Sequence, residues 1–498
     1  MNLHLLVLLP LLTALAILFF RELKKIRAIA FGGSIVQLLL AAMTTYGFMN
    51  SGNNAAVKFY SSYQWFPELG INYTTGLDGI SLSMILLSAL VVLAGVLVSW
   101  NVQRMSREYF FLLMLLSAGA YGFFISLDLF TQFFFLELAV IPKFMLIGIW
   151  GSGKKEYSAM KLALMLMAGS ALVFLGLLGL YFNSSDVNGG HTFDMAAIAS
   201  QSLSFSTQLL FFPLIFAGFG IFGALFPFHT WVPDGHSSAP TAASMFLAGI
   251  SMKLGGYGCL RVASYLMPEA AAHYAPVIVV LSAIAILYGA FATMMQTDLK
   301  YINAYSSVSH CGFVLLGIGM LNHTGITGAV MQMISHGLMT ALFFAAIGMI
   351  YERTHTRMVA QLGGLLKLMP FISSIFVIAG LCSLGLPGFS GFVAEMTVFM
   401  GAWEHESTLY RVATIASCAS IVVTAVYILR AAGKAIMGGL PEGQHIDGGD
   451  AGWNEKTAAV VLLGGILLIG LAPFLLKDLL DPEVTRMMAR IVPNPTTF

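Results

Sequence analysis

Long apolar runs separated by short polar connections set the rhythm of the chain. A helix that crosses a bilayer needs about 20 mostly apolar residues. On that measure the pattern predicts spans near 4–20, 28–49, 79–99, 110–127, 129–150, 160–182, 207–226, 240–265, 274–295, 302–321, 326–350, 370–401, 408–430 and 457–476. The seventh and twelfth are predicted to be discontinuous. The seventh runs into Phe226-Pro-Phe-His-Thr-Trp-Val-Pro-Asp-Gly-His-Ser-Ser-Ala-Pro, where Pro227, Pro233 and Pro240 forbid a smooth helix. The twelfth contains Leu384-Gly-Leu-Pro-Gly-Phe-Ser-Gly-Phe, whose glycines and proline interrupt an otherwise helical run. After the last span, Lys477 to Arg490 reads as an amphipathic helix lying at the interface.

The pattern therefore predicts an all-α polytopic membrane protein of about fourteen spans. Two breaks five spans apart imply inverted-topology repeats, because an odd offset turns the second unit over. The predicted organisation is an N-terminal three-helix segment (1–109), a first five-helix repeat (110–265, spans four to eight) and a second (266–436, spans nine to thirteen). A last span with an amphipathic tail (437–498) completes it. The first run lacks a preceding basic region, so it reads as a retained helix.

Composition sharpens this in three ways. With 58% hydrophobic and 9% charged residues, the chain excludes a soluble surface. A net charge of +1 gives no basic footprint for nucleic acid. Cys259, Cys311, Cys382 and Cys418 are scattered singly in apolar runs, which reads as buried thiols rather than metal or iron–sulfur ligands. Orientation follows from the basic residues: sixteen lie in one set of alternate loops and six in the other. The basic side is the cytoplasmic one, which puts both termini outside. No phosphate-binding glycine loop occurs, so the energy must come from an ion gradient or from partner subunits.

Glu137, Lys143, Lys253 and Glu395 fall well inside spans, where each costs roughly 2.5–3.5 kcal/mol or more unless paired or hydrated. Lys253 lies about half-way along its run, after the proline-broken stretch. A desolvated carboxylate such as Glu137 or Glu395 holds a proton and releases it when a lysine approaches. His310 and His336, in adjacent spans rich in glycine and small polar residues, suit a proton relay, though each alone also reads as a satisfied core histidine. His229 and His236 flank the broken loop and could mark an entry. Asp298 with Lys300, and Glu352 with Arg353, read as solvated loop pairs.

The ordered motifs Leu77-Asp-Gly-Ile-Ser, Phe133-Phe-Phe-Leu-Glu-Leu, His229-Thr-Trp-Val-Pro-Asp, Leu247-Ala-Gly-Ile-Ser-Met-Lys, Gln296-Thr-Asp-Leu-Lys, Ser306-Ser-Val-Ser-His-Cys-Gly-Phe, Ile334-Ser-His-Gly-Leu and Gly385-Leu-Pro-Gly-Phe-Ser-Gly-Phe-Val-Ala-Glu span nearly the whole chain. Together they resemble the antiporter-like subunit M of proton-pumping NADH:quinone oxidoreductase, respiratory complex I. The resemblance implies a lateral hydrophilic axis formed by Glu137, Lys253, His310, His336 and Glu395. It implies a bacterial inner membrane, two other antiporter-like chains as neighbours, and a quinone-reducing peripheral arm. No cofactor is expected on this chain. Iron–sulfur clusters, with or without flavin, and the quinone site would sit on partner subunits.

One position departs from that family. Its seventh-span lysine falls here on Phe222, which carries no charge. Lys143, after Pro142, is the candidate replacement. Six helical residues place it about 9 Å along and roughly 120° around from Glu137, so contact needs a kink, the long side chain or a bridging water. A cation/proton antiporter of a multisubunit transporter, the membrane arm of a proton-pumping hydrogenase, and a scaffold that no longer pumps are the competing readings.

Overall fold

The computed structural model describes residues 2–51, 57–185, 189–439 and 448–491. Among them, ten helices are long and apolar enough to cross a membrane. Each coincides with a predicted span, and the chain is a multi-pass membrane protein. The four other predicted spans are helical but shorter, segmented or more polar. The first is the 15-residue helix His4–Leu18. The eighth passes from Thr241–Phe246 through a π-helix, an α-helix and a second π-helix. The tenth, Leu299–Gly319, carries polar side chains along its length. The twelfth is split into Pro370–Ser383 and Ser390–Trp403.

The breaks follow the local chemistry. The seventh helix, Phe205–Phe222, stops just before the proline-rich stretch and a new helix runs from Trp231 to Ser238. In the twelfth, Gly385 and Gly388 take φ of +72° and +97°, a left-handed backbone that favours glycine. A third break was not predicted. The fifth span is interrupted at Ala139, giving Leu129–Leu138 and Val140–Trp150. Pro142 has no N–H to donate to the Leu138 carbonyl, and its ring crowds that carbonyl.

The all-helical expectation needs one correction, an antiparallel hairpin of Lys58–Phe66 and Ile71–Leu77. Its strands are dense in aromatic and β-branched residues, and Gly70 turns the chain at φ +62°. The polar tail forms the helix Pro473–Ile491, as the amphipathic pattern predicts.

The 32-residue helix His323–Thr354 lies at the centre, its hydrophobic window wholly buried. Leu299–Gly319, the split twelfth span and the Lys253 segment pack around it. Glycines and serines at these contacts let the backbones approach closely, the usual route to helix association in lipid.

Candidate functional site

Lys253 sits on the short α-helix Met252–Gly258, between π-helices at Leu247–Ser251 and Cys259–Ser264. A widened π turn misaligns its carbonyls with the helix ladder, and such turns cluster at functional sites. Here the Ala248 carbonyl accepts from the Lys253 ammonium at 2.6 Å. The same ammonium lies 2.8 Å from His336 Nδ1. Lys253 is 1% exposed, so these two acceptors stand in for its hydration shell.

With the lysine charged, His336 Nδ1 must accept, which leaves the ring proton on Nε2. That Nε2 is buried and has no hydrogen-bond partner. The His336 ring stacks on His310, with centroids 5.4 Å apart and planes at 29°. His310 Nδ1 lies 3.2 Å from Glu395 Oε1 and 3.3 Å from the Gln332 amide nitrogen. One nitrogen thus faces an acceptor and a donor: protonated, it donates to Glu395, and bare, it accepts from Gln332. Its Nε2 lies 3.0 Å from the Ser383 hydroxyl, which can donate or accept. Glu395 is 4% exposed, and a methyl group at Gly385 would come within 2.9 Å of its Oε2. The glycine-rich break therefore makes room for the carboxylate. Lys253, His336, His310 and Glu395 form one row.

The other two predicted residues stand apart from that row. Glu137 is half-buried at the end of Leu129–Leu138, and the Ser170 hydroxyl donates to its Oε1. Ser170 is the solvating group that the sequence around Glu137 did not reveal. Lys143 is 1% exposed, and its Nζ has no hydrogen-bond partner. It lies over the Phe222 ring, 5.8 Å from the centroid, and within Coulombic reach of Glu137.

The flanking charges correct several expectations. Lys300 is not a solvated loop partner of Asp298; it is 4% exposed and donates to the Ala239 carbonyl at 2.6 Å. Asp298 pairs with Arg357 at 3.2 Å, and Arg353 pairs with Glu455 at 2.7 Å rather than with Glu352. His229 and His236 are both buried. His229 stacks on Phe226, and His236 lies between Trp231 and Phe344 with neither nitrogen hydrogen-bonded. A 620 Å³ cavity nearby is lined by Lys154, Asp234, Tyr301 and Arg357. Lys161 pairs with Asp234 at its edge, at 2.7 Å.

A further charged group escaped the sequence reading. Arg261 is 5% exposed and binds two carboxylates, Asp78 and Glu483, the latter at 2.6 Å. Arg486 adds a second contact to Glu483 at 3.2 Å. The Leu77-Asp-Gly-Ile-Ser motif thus supplies both the cap of Gly79–Val98, through Asp78 Oδ1, and one arm of this cluster. Only the tertiary fold joins residues so far apart in sequence.

Residues 126–422 match the family model described as NADH:quinone oxidoreductase/Mrp antiporter, TM. The chain is 36% identical over 491 residues to NAD(P)H-quinone oxidoreductase chain 4 1 of Synechococcus sp. (strain JA-3-3Ab), covering 98% of this chain and 92% of that one. It superposes with a TM-score of 0.89 and 26% identity on a chain of respiratory complex I from Thermus thermophilus with bound NADH, covering 98% and 99% of the two. A chain of the Mrp complex from Dietzia sp. DQ12-45-1b shares the fold with a TM-score of 0.84 at 21% identity, covering 99% and 98%. The buried lysine, histidines and glutamate thus lie within a fold and a sequence pattern of known kind, and the chain belongs to the NADH:quinone oxidoreductase/Mrp antiporter membrane family.

Proposed function

We propose that this chain is a proton-translocating, antiporter-like subunit of an NADH (or other donor):quinone oxidoreductase, driven by redox chemistry in partner subunits. The observation that carries this reading is the buried row from Lys253 through His336 and His310 to Glu395. Each member can hold a proton and none is hydrated by bulk solvent. Proton transfer from Lys253 to His336 Nδ1 frees the proton on Nε2 to move towards His310. His310 then delivers to Glu395 through Nδ1. The proton's position on His310 decides whether that nitrogen faces Glu395 or Gln332. Glu137 and Lys143 form the separate first station.

In this reading the fourteen predicted spans cross the membrane as two inverted five-helix repeats, bounded near residues 109, 265 and 436. Both termini lie outside a bacterial inner membrane. The electron carriers and the quinone site belong to other subunits, and two further antiporter-like chains are neighbours. The likeness to the Mrp chain supports a second reading, a cation/proton antiporter subunit.

Co-purification of the tagged chain from native membranes, followed by reconstitution, separates the two. Quinone-reductase companions and uncoupler-sensitive pumping that falls on Glu137→Gln are expected. Antiporter-like companions alone, with sodium-dependent proton flux and no redox activity, would overturn the first reading in favour of the second.

A further inference from the structure

Among the described residues, Lys143 stands out as a buried ammonium with no hydrogen-bond partner. The face of Phe222 lies 5.8 Å away. Paired buried lysines look different: Lys253 and Lys300 each donate to a carbonyl at 2.6 Å. An ammonium taken out of water without acceptors stays charged only where an opposite charge or a polarisable face compensates it. Both kinds of compensation are close, the Phe222 ring and the Glu137 carboxylate.

Three features hold this arrangement in place. The helix is interrupted at Ala139, between Glu137 and Lys143, with Pro142 following it, and this is the local irregularity that an approach of the two side chains calls for. Gly169 lets the helix Phe205–Phe222 approach closely, since a methyl there would come within 2.9 Å of the Gly218 carbonyl oxygen and 3.3 Å of the Phe222 ring. The next residue, Ser170, fixes one oxygen of Glu137 by donating to it. The carboxylate is thus held while the lysine, on four rotatable bonds, is not.

We propose that Phe222 is the cation–π seat of a two-position switch, in which the Lys143 ammonium alternates between the aromatic face and the Glu137 carboxylate. This rests on the proton-translocating reading above and deepens it. Against the ring, the ammonium leaves Glu137 free to hold a proton. Moved to the carboxylate, it favours the ionised form and releases that proton towards the next station. The one bond broken is the Glu137 O–H: its proton passes to the next acceptor, and the carboxylate left behind is neutralised by the arriving ammonium. Phe222 is a positioning residue, acting through Lys143.

The test is a double-mutant cycle on the purified complex in proteoliposomes, reading protons moved per quinone reduced. Lys143→Met and Phe222→Leu are each expected to lower that ratio, Phe222→Leu by about two- to tenfold for loss of a desolvated cation–π contact. Phe222→Trp should retain it. In the Lys143→Met background, Phe222→Leu should add nothing, because the seat has lost its occupant. Phe222→Lys in that background should regain pumping. If Phe222→Leu impairs assembly, Phe222→Met removes the aromatic face with a flexible side chain that adapts to the space left. Unimpaired pumping in Lys143→Met, equal losses in Phe222→Trp and Phe222→Leu, or additive losses in the double variant would each overturn the switch. Retained pumping in Glu137→Gln would instead sink the proton-translocating reading on which it rests.

Discussion

Lys253 reaches two acceptors at 2.6 and 2.8 Å, whereas Lys143, equally enclosed, reaches none. Lys253 belongs to a row whose members fix one another: His336 by the lysine, His310 by Glu395, Gln332 and Ser383. Glu137 is half-buried on one serine, and its nearest cation leans on an aromatic ring. A fully bonded row passes a proton along a defined sequence of atoms. A loosely held cation can change place at low cost, which suits a control point. In the proposed function the bonded row is the conductor, and the Glu137–Lys143 pair is the gate. A 10 Å³ cavity beside Lys253 is lined in part by Gly223, Gly256 and Met333.

This contrast breaks most sharply at Glu395. Glu395→Gln keeps an amide oxygen beside His310 Nδ1 but removes the carboxylate that can take up its proton, and proton translocation should fall at least about tenfold, in line with the loss of a positioned proton-transfer group. Assay of the reconstituted complex checks it. Pumping within a factor of about two of wild type would show that the row is not the conductor.

The gate should respond more mildly. Pro142→Ala restores a backbone donor to Leu138 and removes a ring clash, so the fifth span straightens and the protein gains stability, by as much as about 3 kcal/mol. The straightened span carries Lys143 away from its bent position, and pumping should drop about two- to fivefold as the stability rises. Thermal stability and translocation measured on one preparation test the pair. A rise in both would dissociate the kink from the gate.

The smallest effect concerns the tail. Burial, with Asp78 close by, pushes Glu483 up to about 7 from its ordinary 4.5. The folded state thus holds this proton more tightly than the unfolded chain does. Tail docking is strongest below the ordinary value and weakens as pH rises from about 4.5 through 7. Hydrogen-exchange protection of Pro473–Ile491 should therefore be higher at the acid end of that window, and Glu483→Gln should flatten the trend.

Ten of the spans were legible because a run of apolar side chains favours a helix in lipid, and the seventh and twelfth breaks were legible because proline and glycine act locally. The site was partly legible for the same reason: Glu137, Lys143, Lys253 and Glu395 are conspicuous as charges in apolar runs. What remained hidden is what needs two distant segments at once. Ser170 is one serine among many until the sixth span lies against the fifth. Arg261 is one arginine near the end of an apolar run until Asp78 and Glu483 close on it. The Ala139 interruption sat in plain view of Pro142, yet prolines are tolerated in membrane helices, so the residue alone did not fix a bend.

The two π-helices flanking Lys253 set the direction of that side chain. Each π turn holds about one residue more than an α turn, so it advances whatever follows it by about one helical step, 100°. The helix Met252–Gly258 is therefore indexed differently from Thr241–Phe246 before it. Deleting one residue from Leu247–Ser251 would return the run to regular spacing and point Lys253 about 100° away from His336.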